Sequence, residues 1–234
     1  MHHADPRPAR IPLGQITLDG DLAVPVGARG MIIFAHGSGS GRHSPRNRAV
    51  ARTLREHGLG TLLLDLLTAE EEAIDVRTAH LRFDIGLLAD RLARVTDWLA
   101  WESATAHLAV GYFGASTGGG AALVAAAARP SAVRAVVSRG GRPDLAGEAL
   151  PRVTAPTLLI VGGEDRPVLD LNRQALVQLR AEKELVVIPG ATHLFAEPGA
   201  LESVAELAAG WFVRYLDTPV NGDAPSETAS MPGR

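Results

Sequence analysis

Short, continuously apolar runs alternate along the chain with segments that have the apolar spacing of α-helices. The apolar runs are residues 31–35, 61–65, 108–113, 133–138, 157–161 and 185–188. A strand buried on both faces of a parallel sheet is continuously apolar, whereas a half-buried strand alternates. The helical segments are residues 46–57, 81–100, 116–128, 170–180 and 200–215. Because strands and helices alternate, the sequence predicts right-handed crossovers and a doubly wound, mostly parallel α/β sheet.

The two ends of the chain differ from this alternating region. Residues 14–25 have the pattern of a β-hairpin with Asp19-Gly20 as its turn, which adds one or two antiparallel edge strands. Residues 217–234 contain three prolines and few large apolar groups, so we expect them to be disordered. The predicted organisation is an N-terminal arm (1–13), one α/β domain (14–216) and a C-terminal tail (217–234).

Composition excludes several classes of function. The formal net charge is −3, so the chain lacks the basic footprint of a nucleic-acid-binding protein. The absence of cysteine excludes disulfides, thiolate metal sites and a cysteine nucleophile, and it fits a reducing compartment. Residues 1–30 show no signal peptide, and the longest apolar run, 121–128, falls short of the roughly 20 residues of a membrane span. We expect a soluble cytoplasmic protein that does not bind membranes, with its oligomeric state left open.

Glycines surround two hydroxyl residues in the stretch AVGYFGASTGGGAALVAAA, residues 109–127. A phosphate-binding P-loop needs lysine and then serine or threonine after its last glycine, and alanines follow here. A dinucleotide-binding G-x-G-x-x-G fails because Ser116 occupies the position of its second glycine. The pattern G-A-S-T-G at residues 114–118 instead matches G-x-S-x-G between a predicted strand and a predicted helix. That context favours a nucleophile elbow, and close helix–sheet packing is the alternative explanation for the glycines.

A serine nucleophile needs a base and an acid that orients the base. In a hydrolase of this arrangement the acid and then the histidine follow the serine, each on a loop after a later strand. Asp165 and Glu164 follow the predicted strand 157–161, and His193, which is the only histidine after Ser116, follows the strand 185–188. The sequence therefore predicts a Ser116–Asp165–His193 triad, with Glu164 as the alternative acid.

The loop after the first parallel strand, H-G-S-G-S-G at residues 36–41, occupies the place of half an oxyanion hole. Two backbone N–H groups must face the developing negative charge. We predict that Thr117, directly after the nucleophile, gives one and Ser38 the other, with Gly39 as the alternate. His36 is expected to support the loop. A metal site at His36 and His43 lacks supporting carboxylates, so we expect neither a metal nor a cofactor.

These motifs resemble those of the α/β-hydrolase superfamily and, more narrowly, of its dienelactone hydrolase-like family. The resemblance rests on H-G-S-G-S-G, G-A-S-T-G, G-G-E-D at residues 162–165 and G-A-T-H at residues 190–193, and it covers about residues 14–216. It implies an α/β-hydrolase fold, the same triad and the same oxyanion donors. Dienelactone hydrolase itself uses a cysteine nucleophile, so Ser116 points toward ordinary esters. Similar domains occur joined to phosphoribosyltransferases, but no phosphoribosyl-binding loop is recognisable here.

The expected function is hydrolysis of a carboxylic ester or lactone, a small molecule, through an acyl-enzyme. Residues 139–156, where many hydrolases insert a helical cap, are too few to form one, which predicts an open site for short-acyl substrates. An acyltransferase or a thioesterase would use the same triad. A non-catalytic ligand-binding protein of the same fold is a third alternative, although it would have little reason to keep all three triad residues.

Charged residues follow the predicted strands near the site. The arginines Arg42, Arg46, Arg139 and Arg142 are candidates for binding a substrate carboxylate, because parallel strands end at one edge of the sheet. The competing interpretation is a solvated rim in which Arg142 pairs with Asp144 and Arg46 opens a helix beside Asn47. Residues 70–72, three glutamates, belong to the same charged rim.

Overall fold

The computed structural model describes residues 5–217 and contains one eight-stranded sheet with the order β1-β2-β4-β3-β5-β6-β7-β8. The strands are β1 (Arg7–Leu13), β2 (Ile16–Ala23), β3 (Met31–Ala35), β4 (Gly60–Leu64), β5 (Val110–Ala115), β6 (Val133–Arg139), β7 (Thr157–Gly162) and β8 (Lys183–Ile188). Strands β3 to β8 pair in parallel, and β1 and β2 add an antiparallel edge. The predicted doubly wound, mostly parallel α/β sheet is confirmed.

Helices cover both faces of this sheet. The helices are α1 (Pro45–Glu56), α2 (Ala69–Thr78), α3 (Ile85–Leu99), α4 (Thr117–Ala128), α5 (Arg166–Gln178) and α6 (Ala200–Leu216), with 3-10 segments at Leu81–Phe83 and Pro143–Arg152. Apolar residues of α1 and α6 pack on one face of the sheet, and those of α3, α4 and α5 pack on the other. Helix α2 lies in a stretch for which the sequence predicted no element.

The edge hairpin is present, but the predicted turn is wrong. Strand β1 and strand β2 are joined at Gly14–Gln15, and Gly14 has a φ of +75°. Asp19 and Gly20 lie inside β2 instead. A Cβ at Gly20 would lie 3.1 Å from the Leu63 carbonyl oxygen, a tight contact, so glycine is favoured there by the close approach of β4 rather than by a turn. Strand β1 therefore occupies residues that the sequence analysis assigned to the arm.

The sheet brings the predicted loops to one edge. The predicted oxyanion loop follows β3, the turn at Ser116 follows β5, Arg139 is the last residue of β6, and Asp165 follows β7. These four strands neighbour one another in the sheet. Between β6 and β7 the chain forms the 3-10 segment Pro143–Arg152. Within the described residues, no helix combines the length and the apolar character needed to cross a membrane. Apart from Asp217, the predicted tail 217–234 lies outside the described residues, as do residues 1–4.

Candidate active site

Ser116 stands between β5 and α4 in an unusual backbone conformation. Its φ is 52° and its ψ is −124°, a region that non-glycine residues rarely adopt. The surrounding backbone holds it there, because the Ser116 carbonyl oxygen accepts hydrogen bonds from the N–H groups of Gly119 (3.0 Å) and Arg142 (2.9 Å). This strand–turn–helix geometry is the one that exposes a serine hydroxyl at the end of a parallel sheet.

The glycines around Ser116 allow backbone segments to approach closely. A Cβ at Gly114 would lie 2.6 Å from the Gly119 Cα, and a Cβ at Gly118 would lie 2.1 Å from the Ala35 carbonyl oxygen. Real Cβ atoms essentially never come within 3.0 Å of such atoms. The two interpretations of the glycine cluster are therefore compatible, since close packing and a sharp turn occur together.

His193 and Asp165 are in direct contact. The His193 Nδ1 lies 2.6 Å from the Asp165 Oδ2, and the Asp165 side chain is 13% exposed. With Nδ1–H donating to the carboxylate, Nε2 is left as the proton acceptor of the ring. Glu164, the alternative acid in the sequence analysis, is exposed next to this pair. The structure thus brings Asp165 to His193.

The His193 loop packs beside the Ser116 turn. The Ser116 N–H donates to the Arg139 carbonyl oxygen (3.3 Å), and a Cβ at the next residue, Gly140, would lie 3.5 Å from the His193 Nδ1. In the part of the chain that the structure describes, the Ser116 hydroxyl makes no hydrogen bond to His193. Catalytic hydrogen bonds of this type are often long without substrate and tighten in the Michaelis complex.

His36 supports the oxyanion loop, as its position in the sequence predicted. Its Nδ1 lies 2.9 Å from the Gly37 carbonyl oxygen, and its Nε2 accepts the Leu66 N–H at 3.0 Å. Desolvation by burial lowers the pKa of His36, so the ring is neutral at neutral pH. The neutral tautomer links the loop after β3 to the chain after β4.

The two predicted oxyanion donors are joined by a side chain that sequence reasoning did not consider. The Ser38 N–H donates to the Thr117 Oγ1 at 3.0 Å, and Thr117 is 4% exposed. Gly37 lies against Ser116, because a Cβ at Gly37 would come 3.0 Å from the Ser116 Cβ. The sequence shows the hydroxyl of Thr117 but not its partner, which lies 79 residues away along the chain.

The candidate substrate-binding arginines fall into two groups. Arg42 pairs with the Asp65 carboxylate, and its N–H donates to the same group at 2.7 Å. Arg142 forms a bidentate pair with Asp144 at 2.8 and 2.7 Å, as the competing interpretation held. The positive charges of Arg42 and Arg142 are therefore already offset by carboxylates of this chain, which makes these two arginines weaker candidates for binding an anion. Arg46 and Arg139 form no ion pair with any residue in 5–217.

A polar cleft of about 620 Å³ opens beside the oxyanion loop. Its lining includes Ser40, Arg42, His43, Asp65, Glu70 and Glu72. Within residues 5–217, no group of three or more histidine, aspartate or glutamate side chains lies close enough together to hold a metal ion. The middle glutamate, Glu71, instead caps α2 by accepting the Thr68 N–H at 2.8 Å.

Comparison with known proteins places these features in context. A model of the dienelactone hydrolase family matches residues 18–217. The crystal structure of a dienelactone hydrolase from Anabaena variabilis is 63% identical in sequence, with a TM-score of 0.91, over 92% of this chain and all of that chain (100%). Est1E from Butyrivibrio proteoclasticus is 19% identical, with a TM-score of 0.73 over 88% of this chain and 98% of its own, which indicates a shared fold.

A Mycobacterium tuberculosis protein with the provisional name phosphoribosyl transferase is also similar. It is 59% identical over 206 residues, which are 88% of this chain and 46% of that protein. The chain thus spans about half the length of the curated relatives it matches.

Proposed function

The chain belongs to the dienelactone hydrolase family, and from that membership we propose that it is a serine hydrolase cleaving a carboxylic ester or lactone through an acyl-enzyme. Ser116 is the nucleophile, His193 the general base and Asp165 the residue that orients the imidazole. The observation that carries the proposal is the 2.6 Å contact between His193 Nδ1 and Asp165 Oδ2 beside a serine with a φ of 52°.

In the proposed first step, the Ser116 Oγ attacks the carbonyl carbon while His193 Nε2 takes the hydroxyl proton. The carbonyl π electrons move to oxygen, and backbone N–H groups of Thr117 and Ser38 stabilise the oxyanion. The carbon–oxygen bond to the leaving group then breaks, and the imidazolium returns its proton to the departing alkoxide. Water repeats the sequence on the acyl-enzyme and releases the acid and free Ser116.

The Thr117 hydroxyl has a part in this scheme. It accepts the Ser38 N–H at 3.0 Å and so fixes the oxyanion loop against the start of α4. When the oxyanion forms, the Ser38 N–H is shared between the two oxygens or turns from one to the other. An anion is the stronger acceptor, because hydrogen bonds to ionised groups are about twice as strong as neutral ones.

The name of the mycobacterial relative does not change this proposal. The similarity covers 88% of this chain and so includes most of residues 18–217, the part that matches the hydrolase family. Acyl transfer differs from hydrolysis only in the nucleophile that resolves the acyl-enzyme. Turnover of p-nitrophenyl butyrate with and without methanol, followed by analysis of butyrate and methyl butyrate, separates the two activities.

The test of the triad is covalent labelling combined with kinetics. We expect a fluorophosphonate probe to label the wild-type protein and not the Ser116→Ala variant, and His193→Ala to lower kcat by about 10³-fold or more. Asp165→Asn should also lower kcat strongly, because the imidazole loses its orientation, and the neighbouring Glu164→Gln is the matched control. Labelling of the Ser116→Ala variant, or a larger loss in Glu164→Gln than in Asp165→Asn, contradicts the assignment.

A further inference from the structure

A buried ion pair joins α2 to α3 and plays no part in the triad described above. Arg91 of α3 is only 3% exposed, and its Nη1 and Nη2 donate to the two carboxylate oxygens of Glu71 in α2. Arginine is almost never fully buried unless it is paired, and a bidentate pair fixes the orientation of both side chains. The hydrogen bond from Arg91 lowers the pKa of Glu71, so the carboxylate is ionised at neutral pH.

The ion pair fixes the turn between β4 and α2. Arg91 Nη1 also donates to the Leu66 carbonyl oxygen, and Glu71 Oε2 accepts the Thr68 N–H at 2.8 Å. The backbone is therefore held on both sides of Leu67 by the two partners of one pair. As a result, the position of Leu66 depends on Arg91 and Glu71.

Leu66 connects this turn to the oxyanion loop through His36. The Leu66 N–H donates to the His36 Nε2 at 3.0 Å, so this nitrogen carries no proton and the neutral ring has its proton on Nδ1. Nδ1 lies 2.9 Å from the Gly37 carbonyl oxygen and donates to it. Two hydrogen bonds of one imidazole therefore link the turn after β4 to the Gly37 carbonyl group.

The peptide plane converts this link into a direction for a proposed oxyanion donor. The Gly37 carbonyl and the Ser38 N–H belong to one planar peptide unit, so a hydrogen bond that holds the carbonyl also sets the direction of the N–H. Gly37 lies against Ser116, and glycine itself restrains the rotation of this unit less than any other residue. The hydrogen bond from His36 is therefore needed to fix the Ser38 N–H.

A second charged pair supports the same loop. Asp75, the only buried residue of α2, accepts the N–H groups of Leu81 and Arg82 and pairs with the Arg82 guanidinium. A Cβ at Gly39 would lie 3.8 Å from the Arg82 Nη1, so this guanidinium lies beside the residue that follows Ser38. Helix α2 is therefore attached next to the oxyanion loop through paired charges rather than through apolar side chains.

We propose that Arg91 and Glu71 are positioning residues for the proposed reaction. Through Leu66 and His36, their ion pair sets the direction of the Ser38 N–H. This inference rests on the proposed hydrolase function. Oxyanion donors stabilise charge that develops in the transition state, so loss of the ion pair should lower kcat and leave KM unchanged.

The kinetic test is a double-mutant cycle with His36, and p-nitrophenyl butyrate is the substrate. We expect Glu71→Ala and Arg91→Met each to lower kcat about tenfold at unchanged KM, since the donor is misdirected but not removed. Because the effect passes through the imidazole, either change should cause a further loss of about twofold or less when it is added to His36→Ala. Losses that multiply in the double variants, an accompanying rise in KM, or wild-type kcat in both single variants overturns the proposal.

Asp97→Asn is the matched control. Asp97 is on the same helix α3 and pairs with Arg129, the residue that ends α4, so this change weakens an arginine–carboxylate pair away from the turn after β4. Its kcat and KM should stay at wild-type values, and a tenfold loss of kcat here overturns the proposal. Arg91→Met leaves no fully buried charge unpaired, since the Glu71 side chain is 26% exposed, and it serves as the test if Glu71→Ala does not fold.

Hydrogen exchange followed by mass spectrometry tests the positioning without turnover. We expect the amides of residues 36–41 to exchange about tenfold faster in Glu71→Ala and Arg91→Met than in wild type and Asp97→Asn, while those of β5 keep the wild-type rate. If the wild type hydrolyses no ester, the hydrolase proposal fails, and this measurement still decides whether the ion pair orders the loop. Unchanged exchange in residues 36–41, or equal acceleration in β5, overturns the proposal.

Discussion

A single methyl group at Gly118 tests whether the turn around Ser116 and the oxyanion loop depend on each other. The Cβ of Gly118→Ala would lie 2.1 Å from the Ala35 carbonyl oxygen and 2.6 Å from that of His36. Since real Cβ contacts begin at about 3.0 Å, the first distance is 0.9 Å too short. Both neighbours are backbone atoms, which cannot rotate away as a side chain does. Helix α4 and the end of β3 must therefore move apart.

The size of the effect follows from this displacement. Overpacking of a core typically costs about 1–3 kcal/mol, and each kcal/mol shifts the melting temperature of a domain of this size by about 2–4 °C. We therefore expect Gly118→Ala to lower the melting temperature by about 2–12 °C. Moving α4 away from β3 also separates the Thr117 N–H from the Ser38 N–H. Loss of one oxyanion donor lowers kcat by about 10²–10³. We therefore expect a large loss of kcat even at temperatures where Gly118→Ala is still folded.

Calorimetry and p-nitrophenyl butyrate turnover, measured well below the melting temperature, give both quantities. Gly210→Ala is the matched control, since Gly210 is exposed within α6 and a Cβ there meets nothing within 4 Å. That change should raise stability by about 0.5–1 kcal/mol, because glycine weakens a helix interior by this amount. Wild-type melting temperature and kcat in Gly118→Ala would refute the packing argument.

Three further outcomes are expected. Thr117→Val should lower kcat about tenfold, because the hydrogen bond that fixes the oxyanion loop against the start of α4 is lost, whereas Thr117→Ser keeps that bond and should stay near wild type. Equal kcat in wild type and Thr117→Val contradicts this. Because the pKa of His36 is lowered in the folded protein, the unfolded chain binds the proton more readily, so the unfolding free energy should fall as pH drops below the ordinary value of 6.5. Urea titrations at several pH values should show a smaller fall in unfolding free energy for His36→Gln than for wild type and for His107→Gln, the control at an exposed site. The same pH dependence of the unfolding free energy in all three proteins would contradict this role of His36. Because no cap covers the site between β6 and β7, each methylene added to the acyl chain of the substrate gains little of the roughly 0.8 kcal/mol that full burial provides. The acetate or butyrate ester of p-nitrophenol should therefore be turned over faster than the palmitate ester. A rate that climbs with chain length would indicate a buried acyl tunnel.

The parallel strands could be predicted because a strand that is buried on both faces consists of consecutive apolar residues. Strands β3 and β5, for example, have every residue buried, and so they are continuously apolar. The turn of the edge hairpin was predicted at the wrong residues because Asp-Gly occurs both in turns and inside strands. Glycine serves a turn through its positive φ, and it serves a strand interior where a neighbouring backbone comes close. The second use at Gly20 depends on Leu63 of β4, which the local sequence does not reveal.

Helix α2 was not predicted because the contacts that stabilise it are likewise not visible in its local sequence. In Ala69–Thr78 the only buried residue is Asp75, so the segment has no apolar stripe to recognise. Its ends are held by polar contacts instead. The Thr68 and Glu71 side chains cap its start, and the Asp75 carboxylate accepts the N–H groups of Leu81 and Arg82 at 2.7 and 3.1 Å. The capping box was present in the sequence, but the partners of Asp75 lie beyond the helix.

The arginines show where sequence reasoning reaches its limit at the site. The order of strands predicts that all four lie at one edge of the sheet, but it does not predict which of them meet a carboxylate. Arg142 finds Asp144 two residues along, whereas Arg42 finds Asp65 after a different strand. Arg139 is buried and meets no carboxylate within residues 5–217, and its burial together with the charge of Arg46 lowers its pKa to about 10. A charge that is paired within the chain has little left to offer a ligand, while an unpaired one gains most from binding an anion. The four arginines look equivalent in the sequence, but the tertiary structure separates them: Arg42 and Arg142 form ion pairs with carboxylates, whereas Arg46 and Arg139 form none within residues 5–217.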